Sequence, residues 1–465
     1  MNTRRLEANE LNKILNLKED HFNDVKSKRI NPAKLQETFV SFANTDGGEL
    51  FIGVEDAKVS GDRVIGFKDP EEANDILHVL LEETEPGVEN VEVEFIDCKD
   101  KGYILHISIP KSPKVHYTSQ KKCYIRVNAR KKEIKGDRIL ALSYSKGAYS
   151  YEKQPVEHVE IDDVIHSPYF NDYLRRVESS LEPNLFLKKQ RLISKKNGEQ
   201  YPNVGCILLF DEEPQASLDT RCAIKIYRLR TTTSEYRREQ LESLPITING
   251  PLEKQINDTL EKIDEILSNA TYNVSGRLEK LQYPVEAIKE ILVNAVIHRD
   301  YSINDDIHVK IYDNRIEIFS PGRLPGFMTV DNIYDERYSR NPNIVRLLHN
   351  LPNPPNHDIG EGLNTARNEL RKVGLVEPVI EEKENGLLVT IKHQKLAVLE
   401  DIIVEYLKKH PGSYITNKDV RNLSGENDVN KVKKAFQKLR SQGVIVPIDK
   451  DASAFNFKYK LARDK

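Results

Sequence analysis

Apolar residues recur at helical spacing at Leu35, Phe39 and Phe42, and the pattern then breaks. In NTDGGELFIGVED, Gly47-Gly48 read as a turn and Leu50-Phe51-Ile52-Gly53-Val54 as a buried strand. A helix-like stretch from Glu71 to Glu83 follows, then strand patterns in VEVEFIDCKD and GYILHISIP. KKCYIRVNARKKEI reads as one basic strand ending near Ile134. These patterns predict an α+β domain on an antiparallel or mixed sheet. Beyond it, PYFNDYLRRVE and NLFLKKQRLI read as charged helices, and VGCILLF and RCAIKIYRL as strands. Residues 251–268 and 283–299 have the spacing of long amphipathic helices. HVKIYD and RIEIFSPG read as paired strands around Asp313-Asn314. The Pro- and Asn-rich NLPNPPNHDIGEG leads to a helix from about Asn364 to Val373, and ENGLLVTIKH closes the region as a strand. A new helical start near residue 396, LAVLEDIIVEYLKKH, opens a small last region.

A chain of 465 residues suggests about three domains. The expected boundaries are 1–145, 146–395 and 396–465. No repeat or low-complexity tract interrupts them. With 70 Lys and Arg against 73 Asp and Glu, the net charge is −3, so binding to nucleic acid or anionic lipid must come from local patches. Mean hydropathy is −0.57, and no apolar run approaches the roughly 18 residues that span a bilayer. The start, MNTRRLEANELNK, lacks a signal-peptide core. Cys98, Cys123, Cys206 and Cys222 form no CxxC pair and sit among strand-like apolar residues, which predicts buried thiols in a reducing cytoplasm.

The first candidate chemistry is acidic. Glu19-Asp20-His21-Phe22-Asn23-Asp24-Val25-Lys26 precedes the first helix, and Asp56 ends the strand after the Gly-Gly turn. Asp24 and Lys26 share one face of a strand, because side chains alternate with period two. Carboxylates converging at strand ends hold Mg²⁺ or Mn²⁺, and a neighbouring Lys steadies developing charge. In a chain with 73 acids, a solvated surface cluster is the competing reading. Lys26, Lys28, Arg29, Lys121, Lys122, Arg126, Arg130, Lys131 and Lys132 are candidate phosphate contacts. Lys on an edge strand also simply blocks sheet-to-sheet aggregation.

The stretch EDHFNDVKSKRI, LQETFVSFANTDGGELFIGVED and YIRVNARKKEI, over roughly residues 10–135, resembles the Schlafen-type AlbA-like domain. The resemblance implies nucleic-acid contact. It also implies a metal-dependent nuclease trio at Glu19, Asp24 and Asp56, with Asp24 where such enzymes often have Glu, and Lys26 beside it. Other members of that family are described as DNA-binding domains without cleavage.

In PVEAIKEILVNAVIHRDY, Glu286, Glu290, Asn294 and His298 form a polar stripe opposite Ile288, Ile291, Leu292, Ala295 and Val296. Asn is a mediocre helix former, so Asn294 in mid-helix suggests a role beyond the helix itself. The Glu290–Asn294 spacing resembles the N-box of GHKL (Bergerat-fold) ATPases, which implies a general base and a metal-holding carboxamide. The pieces NVGCILLFDEEPQ, ILVNAVIHRDY, RIEIFSPGRLPG, RNPNIVRLL and GEGLNTARNEL resemble a divergent GHKL-like branch that follows AlbA-like domains in bacterial regulators. The departures are specific. Asp313-Asn314-Arg315 lacks the glycines of the adenine-binding box, Ser320-Pro321-Gly322 occupies the strand end, and the lid is reduced to Gly360-Glu361-Gly362. Those glycines either accept a phosphate on free N–H groups or make only a tight turn and cap.

Residues 397–463 fit three helices and a hairpin, the order of a winged helix. Val429, Val432, Ala435, Phe436 and Leu439 share one face of the third helix, and Lys431, Lys433, Lys434, Lys438 and Arg440 take the rest. The expected fold is therefore α+β, with an AlbA-like domain, a Bergerat-like α/β sandwich and a winged helix. The expected function is nucleic-acid binding, of RNA or DNA, with a candidate Mg²⁺ or Mn²⁺ nuclease site directed at RNA in a phage-defence setting. The middle domain would bind ATP or another nucleotide or assemble a homo-oligomer. The alternative is an ATP-binding, DNA-binding transcriptional regulator that cleaves nothing.

Overall fold

The computed structural model describes residues 2–5, 11, 14–17, 19–56, 62–235, 237–269, 271–274, 277–280, 283–355, 362–392, 399–410, 412–424, 428–449 and 457–462. The chain divides into two compact units, residues 1–370 with 377–392, and residues 371–376 with 393–465.

The first sheet is built from β1 (Asn2–Arg5), β2 (Asn23–Lys26), β3 (Gly48–Ile52), β4 (Glu92–Asp97) and β5 (Tyr103–Ile109), in the order β1-β4-β5-β3-β2. It is mixed: β1 runs parallel to β4, β2 runs parallel to β3, and the inner pairs are antiparallel. Helix α1 (Pro32–Ala43) starts where Asn31 accepts a bond from the Ala33 N–H at 2.9 Å, with Pro32 at the first helical position. It packs Leu35, Phe39 and Phe42 against Leu50, Ile52, Leu105 and Ile107 of the sheet, and α2 (Asn74–Leu81) adds Leu77 and Leu80. Burying each such side chain contributes about 1.5–3 kcal/mol. KKCYIRVNARKKEI is not one strand but a hairpin, β6 (Cys123–Val127) with β7 (Arg130–Ile134). Asn128 makes the turn at φ 52°, a conformation Asn tolerates. Helix α3 (Asp137–Ser145) follows.

Next come α4 (Pro168–Arg176), α5 (Pro183–Lys189), the small hairpin β8 (Ile193–Lys196) with β9 (Glu199–Pro202), and α6 (Val204–Phe210). Helix α6 is VGCILLF, expected as a strand. Asn203 caps it, accepting from the Cys206 N–H at 3.0 Å. All seven of its residues are buried, so no polar face marks the helical period.

The second sheet is six-stranded. Its strands are β10 (Ile224–Arg228), β11 (Ile246–Ile248), β14 (Ile307–Ile311), β15 (Arg315–Pro321), β16 (Val379–Lys383) and β17 (Gly386–Lys392), in the order β11-β10-β14-β15-β17-β16. Between them in the chain lie α7 (Leu252–Asn269), the separate pair β12 (Thr271–Val274) and β13 (Arg277–Lys280), and α8 (Val285–Ile297). The HVKIYD and RIEIFSPG strands pair as expected, antiparallel from His308–Phe319 to Ile311–Ile316. Helices α9 (Pro342–His349) and α10 (Gly362–Lys372) complete this region.

The second unit contains α11 (Leu399–Lys409), α12 (Asn417–Ser424), α13 (Val429–Ser441) and the antiparallel pair β18 (Ile445–Pro447) with β19 (Tyr459–Leu461). Its core is Ile403, Leu407, Val420, Val432, Ala435, Phe436, Leu439 and Ile445. Val429 was expected on that buried face but is exposed, because it is the first residue after the Asp428 cap. Among the described residues, no helix is long and apolar enough to cross a membrane. All four cysteines are buried free thiols.

Candidate functional site

Two places were expected to carry chemistry. At the first, β2 does put Asp24 and Lys26 on one face. The Lys26 ammonium donates to Glu19 at 2.8 Å and to Asp24. Burial works to lower the Lys26 pKa, but Asp24 and Glu19 outweigh it and the net shift is upward. Asp24 is 3% exposed, and its other oxygen accepts from Arg126 Nη1 at 2.8 Å. Arg126 also donates to the carbonyl of Asp20 at 3.0 and 2.7 Å and of Asn23 at 3.1 Å, and lies 4.2 Å over the Phe42 ring. Arg126 was expected to reach a phosphate. It is instead a buried internal counter-ion.

The structure therefore brings Glu19, Asp24 and Lys26 together, while Asp56 is an exposed residue. The expected divalent cation does not fit this arrangement. The ammonium of Lys26 and the guanidinium of Arg126 already occupy both oxygens of Asp24. Among the described residues, no group of three or more His, Cys, Asp or Glu is placed to hold a metal ion.

The other expected basic residues divide into two sets. Lys28 donates to the Gly66 carbonyl at 2.8 Å, Lys131 pairs with Glu37 at 2.7 Å, and Lys438 pairs with Glu400 at 2.9 Å. Arg29, Arg130, Lys132, Lys433 and Lys434 are exposed, with no ion-pair partner among the described residues.

The second place is a cavity of 420 Å³ between α8, the β15–β17 face of the sheet, the segment after β15 and the start of α10. That volume falls within the roughly 300–1,000 Å³ of small-molecule sites. Of the polar stripe of α8, Glu286 is exposed, but Glu290, Asn294 and His298 line the cavity. Ile291 lines it beside them, while Ile288, Leu292 and Val296 are buried on the helix's other side. Ile318, Leu387 and Val389 supply an apolar wall from β15 and β17.

Gly362, the first residue of α10, stands against this stripe. A Cβ built there would lie 2.8 Å from Glu290 Oε2 and 3.0 Å from Asn294 Nδ2. Glu290, Asn294 and Gly362, expected from separate motifs 72 positions apart from first to last (362 − 290), thus meet. Free backbone N–H groups at a helix start favour an anion there. Gly360 lies outside the described residues.

The segment after β15 is the wall that sequence reasoning missed. Gly322 has φ 109°, and a Cβ there would meet Asp300 Cβ at 2.6 Å, so only glycine fits. Arg323 and Leu324 line the cavity. Arg323 Nη2 also donates to Asp46 at 3.0 and 3.2 Å and to Glu382 at 3.0 Å. The Leu324 N–H donates to Glu382 at 2.8 Å, and Lys111 Nζ donates to the carbonyls of Leu324 at 2.9 Å and Met328 at 3.1 Å. Asp46 comes from the NTDGG turn of the first sheet and accepts a hydrogen bond from His21 Nε2 at 2.7 Å. Burial acts to raise the Asp46 pKa, but Arg323, His21 and Lys111 hold it below the usual carboxylate value. The NTDGG run was visible in sequence; nothing local announced Arg323 as its partner.

Two family models match. Residues 16–135, from before β2 to just past β7, match the one described as "Schlafen, AlbA_2". Residues 304–391, which take in β14, β15, α10 and β16, match the one described as "Putative ATP-dependent DNA helicase recG C-terminal". The second match begins after α8, so Glu290 and Asn294 lie outside it. No curated protein matches the chain. Among solved structures, the crystal structure of the DIP2311 protein from Corynebacterium diphtheriae is similar at 17% identity and a TM-score of 0.42, over 97% of this chain and 96% of that one.

Proposed function

We propose that the chain is a nucleotide-binding, nucleic-acid-binding regulator that does not cleave its target. The observation that carries this reading is the approach of Gly362 to Glu290 and Asn294 in the wall of the cavity. A helix start, a carboxylate and a carboxamide at one end of an apolar-walled cavity suit the phosphates of ATP. A Mg²⁺ accompanying those phosphates would find oxygen ligands in the Glu290 carboxylate and the Asn294 carboxamide. The two family-model matches support the pairing of a nucleic-acid domain with an ATPase-like one.

Nucleic acid would be held through its backbone by Lys433 and Lys434 on α13, which are exposed. Arg29, Arg130 and Lys132 in the first unit would add phosphate contacts. The order of α11, α12, α13 and the β18–β19 pair is that expected of a winged helix, which in this reading would bind duplex DNA with α13 as the groove-facing helix. Metal-dependent cleavage is not part of the reading, because Lys26 and Arg126 hold the acid on which it depended.

Calorimetric titration of ATP into the full chain tests the nucleotide half. One ATP per chain is expected, with affinity lowered about tenfold or more by Gly362→Ala, whose Cβ displaces the Glu290 carboxylate. Thermal stability of that variant should stay within about 1 kcal/mol, since alanine is the better helix former and Glu290 has a flexible end. Labelled duplex DNA should bind with an affinity that falls steeply with salt and falls further in Lys433→Glu/Lys434→Glu. Absence of ATP binding at millimolar concentration would overturn the reading.

A further inference from the structure

Asn294 and His298 line the cavity, and neither side chain has a hydrogen-bond partner among the described residues. They stand one turn apart on α8, about 6 Å along its axis. Asn294 faces Gly362 and so belongs to the anion-favouring end. His298 stands one turn further toward the helix C-terminus, away from that end.

The His298 position is held by its surroundings. It is the last-turn cap of α8, its N–H donating to the Asn294 carbonyl at 3.1 Å. Asn341 Nδ2 pins the carbonyls on either side of it, Ile297 at 3.0 Å and Arg299 at 2.9 Å. Burial, with the Arg340 charge nearby, pushes the imidazole pKa down to about 4. At neutral pH one ring nitrogen therefore donates and the other accepts. The residue is part-buried with its ring open to the cavity, where a bound group can pair with both ring nitrogens.

The chemistry of that group follows from its surroundings. Ile318, Leu387 and Val389 give the cavity an apolar wall suited to the face of a flat heteroaromatic ring. The edge of a nucleobase carries both N–H donors and ring-nitrogen acceptors, which matches a neutral imidazole. Resting on the nucleotide reading of the cavity, we propose that His298 is its specificity-determining residue, hydrogen-bonding the base edge while Asn294 and Gly362 serve the phosphates. In this assignment a side chain of α8 reads the base, at the opposite end of the helical stripe from Glu290.

The test compares ATP with inorganic tripolyphosphate, each titrated calorimetrically into the full chain with Mg²⁺ present. His298→Phe keeps an aromatic ring but removes both hydrogen-bonding atoms. It should lower ATP affinity about tenfold and leave tripolyphosphate affinity unchanged. His298→Gln, which keeps a donor and an acceptor, should recover most of the loss. Thermal melting reports whether each variant folds; should His298→Phe not fold, His298→Ala takes its place in the same comparison. Unchanged ATP affinity in a folded variant overturns the proposal, as does an equal loss for ATP and tripolyphosphate. Wild-type protein that binds tripolyphosphate but gains nothing from the base also overturns it. Wild-type protein that binds neither removes the nucleotide reading itself.

Discussion

Asp24 shows how one neighbour of a residue can be legible in the sequence while another is not. Strand alternation puts it beside Lys26, and that pair is what the structure contains. The partner that decides its chemistry is Arg126, 102 positions further along. Arg126 sits in a run of basic residues, so composition favours a surface role. In the fold, its place on the β6–β7 hairpin turns it inward over Phe42. Removing one member of a buried ion pair leaves the others uncompensated, at a cost of about 3–5 kcal/mol. Asp24→Ala is therefore expected to lower the urea midpoint of the first unit strongly. A midpoint equal to that of the wild type would show that the Asp24–Arg126 pair does not hold the sheet. The same expectation warns against reading lost activity in an Asp24 variant as lost catalysis.

At the scale of elements, local signals succeeded where a face was polar and failed where burial was complete. The stripe on α8 was legible because Glu290, Asn294 and His298 repeat every four residues. Helix α6 was not, because VGCILLF is buried all round and short apolar runs look alike as helix or strand. The hairpin in KKCYIRVNARKKEI was hidden by basic residues that continue through its turn at Asn128. The segment after β15 depends on contacts from elsewhere: Asp46 from the α1–β3 turn, Lys111 after β5, and Glu382 on β16. Asp46→Asn removes the charge facing Arg323, and so loosens a wall of the cavity. The expected outcome is a loss of about 1–3 kcal/mol in stability and a severalfold weaker ATP affinity by calorimetry. ATP binding as tight as in the wild type would show that the segment needs no anchor in the first sheet.

For the whole molecule, buried titratable groups set the response to pH. His116 is fully buried, with Nδ1 donating to the Pro86 carbonyl at 2.6 Å and Nε2 at 2.6 Å from Ser112 Oγ. Burial pushes its pKa down to about 4, as it does that of His298. In the unfolded chain these rings take up protons near 6.5, while the folded chain resists until about 4. Stability from them is complete above 6.5 and declines as pH falls toward 4. Asp46, depressed below 3.8, adds a further loss at still lower pH. Lys26, raised above 10.5, acts at the other extreme, its contribution being lost as pH rises through its folded value. Thermal midpoints measured at pH 7, 5.5 and 4.5 should fall in that order, and His116→Gln should flatten the trend. A profile that stays level from 7 to 4.5 would contradict the burial of both rings.

By itself, the sequence determined the α+β class, the Asp24–Lys26 face, the α8 stripe, the β14–β15 pair and the order of elements in the second unit. Each of these follows from periodicity over a few neighbouring residues, which the backbone geometry of a helix or strand imposes directly. Only the tertiary structure decided that Arg126 closes on Asp24, that Gly362 meets Glu290 and Asn294, and that Asp46 braces Arg323. Those contacts join positions far apart in the chain, and their burial and charge balance exist only once the chain has folded around them.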